Sequence, residues 1–514
     1  MNILKISRLS MLWFCLLAIA CAEDKGNYTY EDKAVITIDS ISSMLSVLAN
    51  AEYIDLKPVV TSNLEGIIDE RNTNFEFAYQ RKNSEGEWEE VANTKDLHML
   101  AALESGRHAF LFSVTDKRTE VKTLKLFYVN ATTITSEGWM LLCDEGSEER
   151  VRLDMLAQIS VDRIVPAYDV IRRKDGVPEQ YHAANIGFYA TGSATGNRII
   201  AMSEDAAYWL ETTDSKGGGE FLDVESYHEL KSAMFLAATD DHIVNFVSVP
   251  YKGLYKPEHD AVICVSREGN VYAWNTVEVE TGFEYPINTS VRGGTPEYKV
   301  APYVGTTLKR PLSSDFGIAL LFDTDNHRFV YLSGEGVTGS DVAGKKQVLH
   351  PLEDPENKNF SYNTGNMDLV CMLNTSFSEG MVYCIMQEDG KRHIYEVNLG
   401  SGEFKQGACH LDVMAENFAN ATCFAVIYYA YGNKVYAYNV GSGVSEPVIT
   451  LEGEEITCLK FNRYDYPWGI DDLCSKYDDE IKNIYRDREN QLIVCSYKNA
   501  ATDNNGGMLR FYDV

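Results

Sequence analysis

The sequence predicts an all-β chain in two bodies, a β-sandwich followed by a β-propeller. Three observations carry this. Beyond Lys25 the apolar runs are short, rich in Tyr, Val, Ile, Thr and Phe, and separated by turn residues. Between residues 34 and 130 several runs alternate apolar and polar, as strands with one buried face do. From residue 137 onward one hairpin-like unit recurs to the end of the chain. Long periodic helical stretches are scarce, and Ser226 to Ala238 is the one short helical candidate.

The leader comes first. Lys5 and Arg8 precede an apolar run from Met11 to Ala20, and Cys21 opens a polar, acidic stretch. A spanning helix needs about 20 apolar residues, so residues 1–20 read as a cleavable export signal. Ala18 and Ala20 alone would fit ordinary secretion. Cys21 directly after them changes the reading, because its thiol can carry lipid. Position 18 holds Ala where a bacterial lipobox prefers Leu. The expectation is a lipoprotein anchored through Cys21, with residues 21–33 as a lipidated linker. One acyl chain anchors only marginally, so a stable tether needs more than one.

Residues 34–130 form the first domain. Its runs include Val35-Ile36-Thr37-Ile38, Phe75-Glu76-Phe77-Ala78-Tyr79, the segment from His108 to Val114, and the segment from Thr123 to Val129. Their number and spacing suit an immunoglobulin-like sandwich.

Residues 137–514 carry the repeat: an apolar strand, a polar turn, then a strand with spaced aromatics. The clearest copies are Ala261–Asn275, Phe424–Val440, Met381–Asn398 and Phe316–Leu332. Arg198–Leu210 and Leu492–Val514 are weaker, and Gly138–Met155 is the loosest. One hairpin cannot bury both of its faces, and radial stacking of blades solves that problem. Seven copies point to seven blades, with six or eight left open by their uneven spacing. A run of further sandwiches is the alternative, though no linkers separate such domains. The last copy ends at Val514, so the last blade is expected to borrow an outer strand from residues 130–137.

Composition narrows the partners. The net charge is −30, and loss of the leader removes two further cations. Such a body repels nucleic acid, whose binding rests on Lys and Arg neutralising phosphates, and high net charge favours solubility. Eleven cysteines are present. Cys15 leaves with the leader and Cys21 takes lipid. Nine is an odd remainder and no CxxC occurs; Cys143, Cys264, Cys371, Cys384, Cys423 and Cys495 lie in apolar runs. They read as small core residues, with a disulfide or two as the alternative. Exported proteins usually pair their cysteines, so this usage suits a low-oxygen habitat.

Catalytic signatures are missing. Gly192-Ser193-Ala194-Thr195-Gly196 fails the nucleophile-elbow pattern, and His228-Glu229 lacks the second histidine of a zinc hydrolase. Gly217-Gly218-Gly219 follows no P-loop spacing. Asp323-Thr324-Asp325-Asn326 could hold calcium through oxygens, but Asp and Asn are also what a hairpin turn requires. The chain reads as a non-enzyme without cofactor or metal. The binding candidates are Arg463, Tyr464, Tyr466 and Trp468, a cation and three aromatics in one Pro-interrupted loop. Flat aromatic faces flanked by hydrogen-bonding groups suit sugars and peptide side chains alike. A loop that caps the propeller core is the plainer alternative. Phe283-Glu284-Tyr285-Pro286 is a weaker case. Trp139, Trp209 and Trp274 sit in strand-like runs and read as core.

Several of these residues resemble a known family. Cys21, Asp24 and Gly26-Asn27-Tyr28-Thr29-Tyr30, followed by Val35-Ile36-Thr37-Ile38, are similar to the opening of the PKD-like lipoproteins of Bacteroidetes. That opening usually has Asp where this chain has Thr29. Ser113-Val114-Thr115-Asp116 and Gly138-Trp139-Met140-Leu141-Leu142 resemble the same family, the former its V-x-D turn. Glu23 and Asp24 resemble that phylum's acidic surface-export signal, and Asp39-Ser40-Ile41 its short O-glycosylation sequon, where an ordinary turn fits as well. The resemblance implies a lipid-anchored outer-membrane protein facing the cell exterior. Its implied role is an accessory in nutrient uptake, beside a TonB-dependent importer and its lidding lipoprotein. The implied ligand is an extracellular oligosaccharide or peptide. The alternatives are a propeller glycoside hydrolase or lyase, and a ligand-free adaptor of the importer.

Overall fold

A computed structural model describes residues 34–134, 137–170, 179–189, 198–212, 224–229, 241–249, 261–275, 285–291, 293–306, 317–333, 348–352, 364–375, 381–399, 403–411, 414–421, 424–462, 479–498 and 506–514. The chain divides into two compact units. The first takes the chain up to Leu45, with Tyr53–Leu100 and Arg107–Val129; the second takes Ser46–Glu52, Ala101–Gly106 and Asn130–Val514.

The first unit is built on strands β1 (Ile36–Asp39), β2 (Met44–Leu48), β3 (Tyr53–Leu56), β4 (Val59–Ser62), β5 (Gly66–Ile67), β6 (Phe75–Lys82), β7 (Trp88–Ala92), β8 (Leu97–Leu100), β9 (Gly106–Asp116) and β10 (Val121–Thr132). One sheet runs β2-β10-β9-β6-β7, a second β1-β4-β5, and β3 pairs with β8. Alternation decides the core. Phe75, Phe77 and Tyr79 on β6, Phe110, Phe112 and Val114 on β9, and Phe127 and Val129 on β10 are all buried. Every second residue points inward because the pleat has a period of two. The buried Tyr79 hydroxyl donates to the Lys95 carbonyl at 2.8 Å, so its burial leaves no polar group stranded. Asp116 explains the turn that follows Val114-Thr115-Asp116 at the end of β9. Its buried carboxylate accepts from the backbone N–H of Arg118 at 3.0 Å and from that guanidinium at 3.0 and 3.1 Å. The Arg118 pairing holds the Asp116 carboxyl below its ordinary value.

The second unit holds seven antiparallel sheets among the described residues, each in chain order. Sheet 1 is β11 (Gly138–Glu145), β12 (Arg150–Ser160) and β13 (Arg163–Ala167). Sheet 2 is β14 (Ala183–Tyr189), β15 (Arg198–Ser203), β16 (Ala207–Thr212) and β17 (Val224–Glu229). Sheet 3 is β18 (Ile243–Val249), β19 (Ala261–Ser266) and β20 (Val271–Asn275). Sheet 4 is β21 (Gly305–Thr306), β22 (Gly317–Asp323), β23 (Arg328–Ser333) and β24 (His350–Pro351). Sheet 5 is β25 (Asp368–Asn374), β26 (Met381–Glu388), β27 (Lys391–Asn398) and β28 (Glu403–Leu411). Sheet 6 is β29 (Glu416–Asn420), β30 (Val426–Tyr431), β31 (Lys434–Asn439) and β32 (Val444–Thr450). Sheet 7 is β33 (Glu455–Phe461), β34 (Gln491–Tyr497) and β35 (Gly507–Asp513).

First strands of successive sheets touch: β11 with β14, β14 with β18, β21 with β25, β25 with β29, and β29 with β33. This is a propeller-like arrangement. Alternating residues of each second strand feed opposite neighbours. Val262 and Cys264 pack toward sheet 2, whereas Ile263 and Val265 pack toward sheet 4. Leu320 and Phe322 pack toward sheet 5, whereas Ala319 and Leu321 pack toward sheet 3. Val382, Cys384 and Met386 face sheet 4, whereas Tyr383 and Ile385 face sheet 6. Both faces are buried, which is why these strands read as unbroken apolar runs.

Every sequence repeat lies on a hairpin. In six sheets it joins the second and third strands; in sheet 1 it joins β11 and β12, the first and second. That shift of phase is why Gly138–Met155 matches the other copies least well. Two expectations are corrected. Ser226 to Glu229 belong to β17, paired with β16 through Tyr227↔Leu210 and His228↔Trp209, and not to a helix. The sheet ladder satisfies the backbone there, and local helical spacing loses to it. The described helix is instead α1 (Asp479–Arg488). Nor, among the described residues, does sheet 7 gain a strand from residues 130–137. Asn130 to Thr132 end β10, whose sheet order places it between β2 and β9.

Candidate functional site

Sheet 7 meets sheet 1 through directional contacts. The Trp139 indole N–H on β11 donates to Asn462 Oδ1 at 2.9 Å, and its ring meets Phe511 of β35 edge-on with centroids 4.9 Å apart. Gln158 on β12 donates to the Tyr485 hydroxyl at 2.6 Å and to Glu137 at 3.0 Å. Tyr485 donates to Glu137 at 2.7 Å. Arg488 donates to Gln158 Oε1 at 3.0 Å and also reaches the Val161 carbonyl. Tyr485 and Arg488 come one turn apart on α1, so one helix face supplies both. Gly138 begins this seam with φ +146°. A Cβ there would lie 2.0 Å from the Leu156 carbonyl oxygen, so the first sheet starts on a residue without a side chain.

Asn462 is the base of the candidate loop. It follows β33, is buried, and donates its own N–H to the Gln491 carbonyl at 2.8 Å. Its Oδ1 is taken by Trp139, and its buried Nδ2 has no hydrogen-bond partner among the described residues. Arg463, Tyr464, Tyr466 and Trp468 themselves lie outside the described residues, as does Cys21. Trp139, expected in a core, is instead half-buried at this seam. Trp209 and Trp274 lie on β16 and β20, with side chains outside the description. Of the weaker candidate, Tyr285 is described and exposed, and it lies beside Gly293.

Other seams carry side-chain amides too, at the bulge of β14, β18 and β29 and at the end of β25. Asn185 on β14 donates to Asn245 on β18 at 3.1 Å, and Asn245 donates to the Pro302 carbonyl at 2.9 Å. Asn374 on β25 accepts from Thr306 N–H at 2.9 Å and donates to the Val304 carbonyl at 3.1 Å. Asn417 on β29 donates to the Ile456 carbonyl at 2.9 Å. A bulge sits near the start of β14, β18, β25, β29 and β33, and bulges re-aim side chains out of the ladder. Lone asparagines scattered between Asn185 and Asn417 leave no local motif, so the sequence reading missed them.

The calcium candidate is a turn. Asp323 is fully buried at the β22–β23 hairpin. Its carboxylate accepts from Asp325 N–H at 3.1 Å, Asn326 N–H at 3.0 Å, Asn326 Nδ2 at 2.8 Å and Arg328 Nε at 2.9 Å. Its oxygens are spoken for by the turn itself. Among the described residues no cluster of His, Cys, Asp or Glu is placed to hold a metal, and no helix is long and apolar enough to cross a membrane.

The cysteines divide. Cys264 and Cys384 are fully buried in the inter-sheet cores, where burial pushes their thiols well up. Cys143, Cys371 and Cys495 are half-buried, and Cys458 is exposed. All six are free thiols; Cys423 lies outside the described residues.

With strand order and seam established, the comparisons can be placed. Residues 21–180 match the model of the PKD-like family. The chain carries a PKD-like family domain. The match runs on through β11, β12 and β13, so it takes in sheet 1. No curated protein matches the chain. Among solved structures, a quinoprotein alcohol dehydrogenase-like protein of Bacteroides thetaiotaomicron is similar at 8% identity and a TM-score of 0.40, over 93% of each chain. A β-propeller domain from Myceliophteria thermophila is similar at 13% identity and a TM-score of 0.30, over 66% of this chain and 93% of that one. Both similarities are remote, and the propeller-like architecture stands on the strand order and the packing of successive sheets.

Proposed function

We propose that this chain is a lipid-anchored accessory protein of nutrient uptake whose propeller has seven blades and captures an extracellular oligosaccharide or peptide. The export leader ending at Cys21 supports the anchor, and the PKD-like domain that follows supports a spacer role. The seven successive sheets, with sheet 7 bonded back to sheet 1, support seven blades closed into a ring. One observation carries the binding site. Asn462, fixed by Trp139 at the seam of sheets 7 and 1, carries a buried donor with no partner among the described residues, directly before Arg463, Tyr464, Tyr466 and Trp468 in sequence. Rings for stacking and a donor for an oxygen acceptor are what a sugar or a peptide requires. The partners under this reading are a TonB-dependent importer and its lidding lipoprotein, and the body faces the cell exterior from the outer membrane. No residue is assigned a catalytic role.

Isothermal titration against oligosaccharide and peptide panels tests the site. Saturable binding is expected, lost in the Tyr464→Ala, Tyr466→Ala, Trp468→Ala triple variant while the melting curve is kept. Binding that survives the triple variant moves the site elsewhere. Product release from the glycan panel would make the chain an enzyme. Silence on both panels together with co-purification of an importer would make it an adaptor. An unmodified Cys21 thiol in the mature protein would remove the anchor.

A further inference from the structure

The thiols of sheet 7 are arranged differently from the others. Cys458 on β33 and Cys495 on β34 are register partners, directly opposite across an antiparallel pair. Such partners have Cα atoms about 4.5–5.5 Å apart, within the span of about 4.4–6.8 Å that a disulfide bridges. The bulge between Ile456 and Cys458 gives β33 local freedom to adjust beside the pair. Facing each other across the ladder, the two thiols perturb one another through a side-chain hydrogen bond. That bond, aided by Lys460 two residues on, brings the Cys458 thiol down to about 7; the same bond and burial push Cys495 up. Burial holds Cys143 up at about 11 and Cys371 at about 12. Among the described thiols, Cys458 is therefore the exposed one that ionises near neutrality, which is what attack on a disulfide requires.

We propose that Cys458 and Cys495 are an oxidative modification site, forming a reversible cross-strand disulfide by exchange with an external disulfide. The Cys458 thiolate attacks one sulfur of that oxidant, forms a mixed disulfide and expels the other sulfur as a thiolate. Cys495 then loses its proton and attacks Cys458 Sγ, which releases the second oxidant thiolate. Two electrons leave the pair, and one disulfide is reduced to two thiols. The bond would tie β33 to β34 covalently, across the chain that connects them. It rests on the sheet 7 register and not on any ligand.

The full chain, incubated with oxidised glutathione, alkylated and mapped by peptide mass spectrometry, tests this. A single Cys458–Cys495 cross-link is expected, reversed by dithiothreitol, absent in Cys458→Ser and Cys495→Ser, and kept in Cys143→Ser. In the reduced protein iodoacetamide should label Cys458 ahead of Cys143 and Cys371, with a rate that rises through neutral pH. Both thiols remaining alkylatable after oxidation would overturn the proposal. So would glutathione left on Cys458, or Cys495 linked to Cys143. Should a serine variant fail to fold, the wild-type map decides alone.

Discussion

The seam between sheets 4 and 5 and the seam between sheets 7 and 1 are built from different materials. At the first, Leu320, Phe322, Phe329, Val382, Cys384, Met386 and Val397 are all wholly buried, and Phe322 and Phe329 pack edge to face with centroids 5.3 Å apart. At the second, Trp139, Cys143, Leu509 and Phe511 are only half-buried, and Trp139, Gln158, Tyr485 and Arg488 hold the join by hydrogen bonds. Six buried clusters among the described residues follow the six pairs of chain-adjacent sheets. Chain-adjacent sheets are far closer along the sequence than sheets 7 and 1, so non-directional apolar burial is enough. Sheets 7 and 1 come from opposite ends of a long stretch of chain, where loop-closure entropy opposes contact.

Four substitutions test that contrast, in falling order of effect. Phe322→Ala opens a cavity in the wholly buried seam and should cost about 3–5 kcal/mol, read as a lower urea midpoint. A loss near that of Trp139→Phe would erase the distinction. Gly138→Ala places a Cβ against the Leu156 carbonyl in a left-handed conformation and should cost about 2–3 kcal/mol, as overpacking does. Trp139→Phe keeps a ring against Phe511 but leaves Asn462 Oδ1 without its donor, for about 1–2 kcal/mol. If Tyr464 and its neighbours form the ligand site, this variant should also weaken binding, because it loosens their base.

The fourth concerns pH. Glu454 accepts from Arg510 at 2.8 and 3.0 Å and from Ser496 at 2.6 Å, and these bonds hold its carboxyl below the ordinary value of 4.5. A carboxylate with a lowered folded-state value stabilises above its unfolded value and loses that contribution as pH falls through the folded one. Glu454→Gln should therefore melt below the wild type at neutral pH. The gap should close as pH drops below 4.5, measured by melting temperature across a pH series. A gap that widens in acid would reverse the assignment.

Much of the architecture was legible because it is local. The alternation in Phe75-Glu76-Phe77-Ala78-Tyr79 and the unbroken apolar run of Ala261-Val262-Ile263-Cys264-Val265 each report how many faces of a strand are covered. The hairpin repeat located all seven sheets, even the one read out of phase at Gly138. The Asp323 turn was legible too, since Asx chemistry spans three residues. The helix at Asp479–Arg488 was not. It has little apolar patterning, and what fixes it is the reach of Tyr485 and Arg488 to Glu137, Gln158 and Val161, more than 320 residues away in sequence. The Cys458–Cys495 pairing was hidden for a related reason: register across a long excursion is invisible in either strand alone.

The amino-acid sequence by itself determined strand content, the repeat and the turn chemistry, because each depends on residues within a few positions of one another. Only the tertiary structure decided how sheet 7 bonds to sheet 1, that Trp139 serves Asn462 at a seam and not a core, and which two thiols face each other. Those outcomes depend on contacts between distant segments, whose geometry is set by the summed packing of every sheet between them.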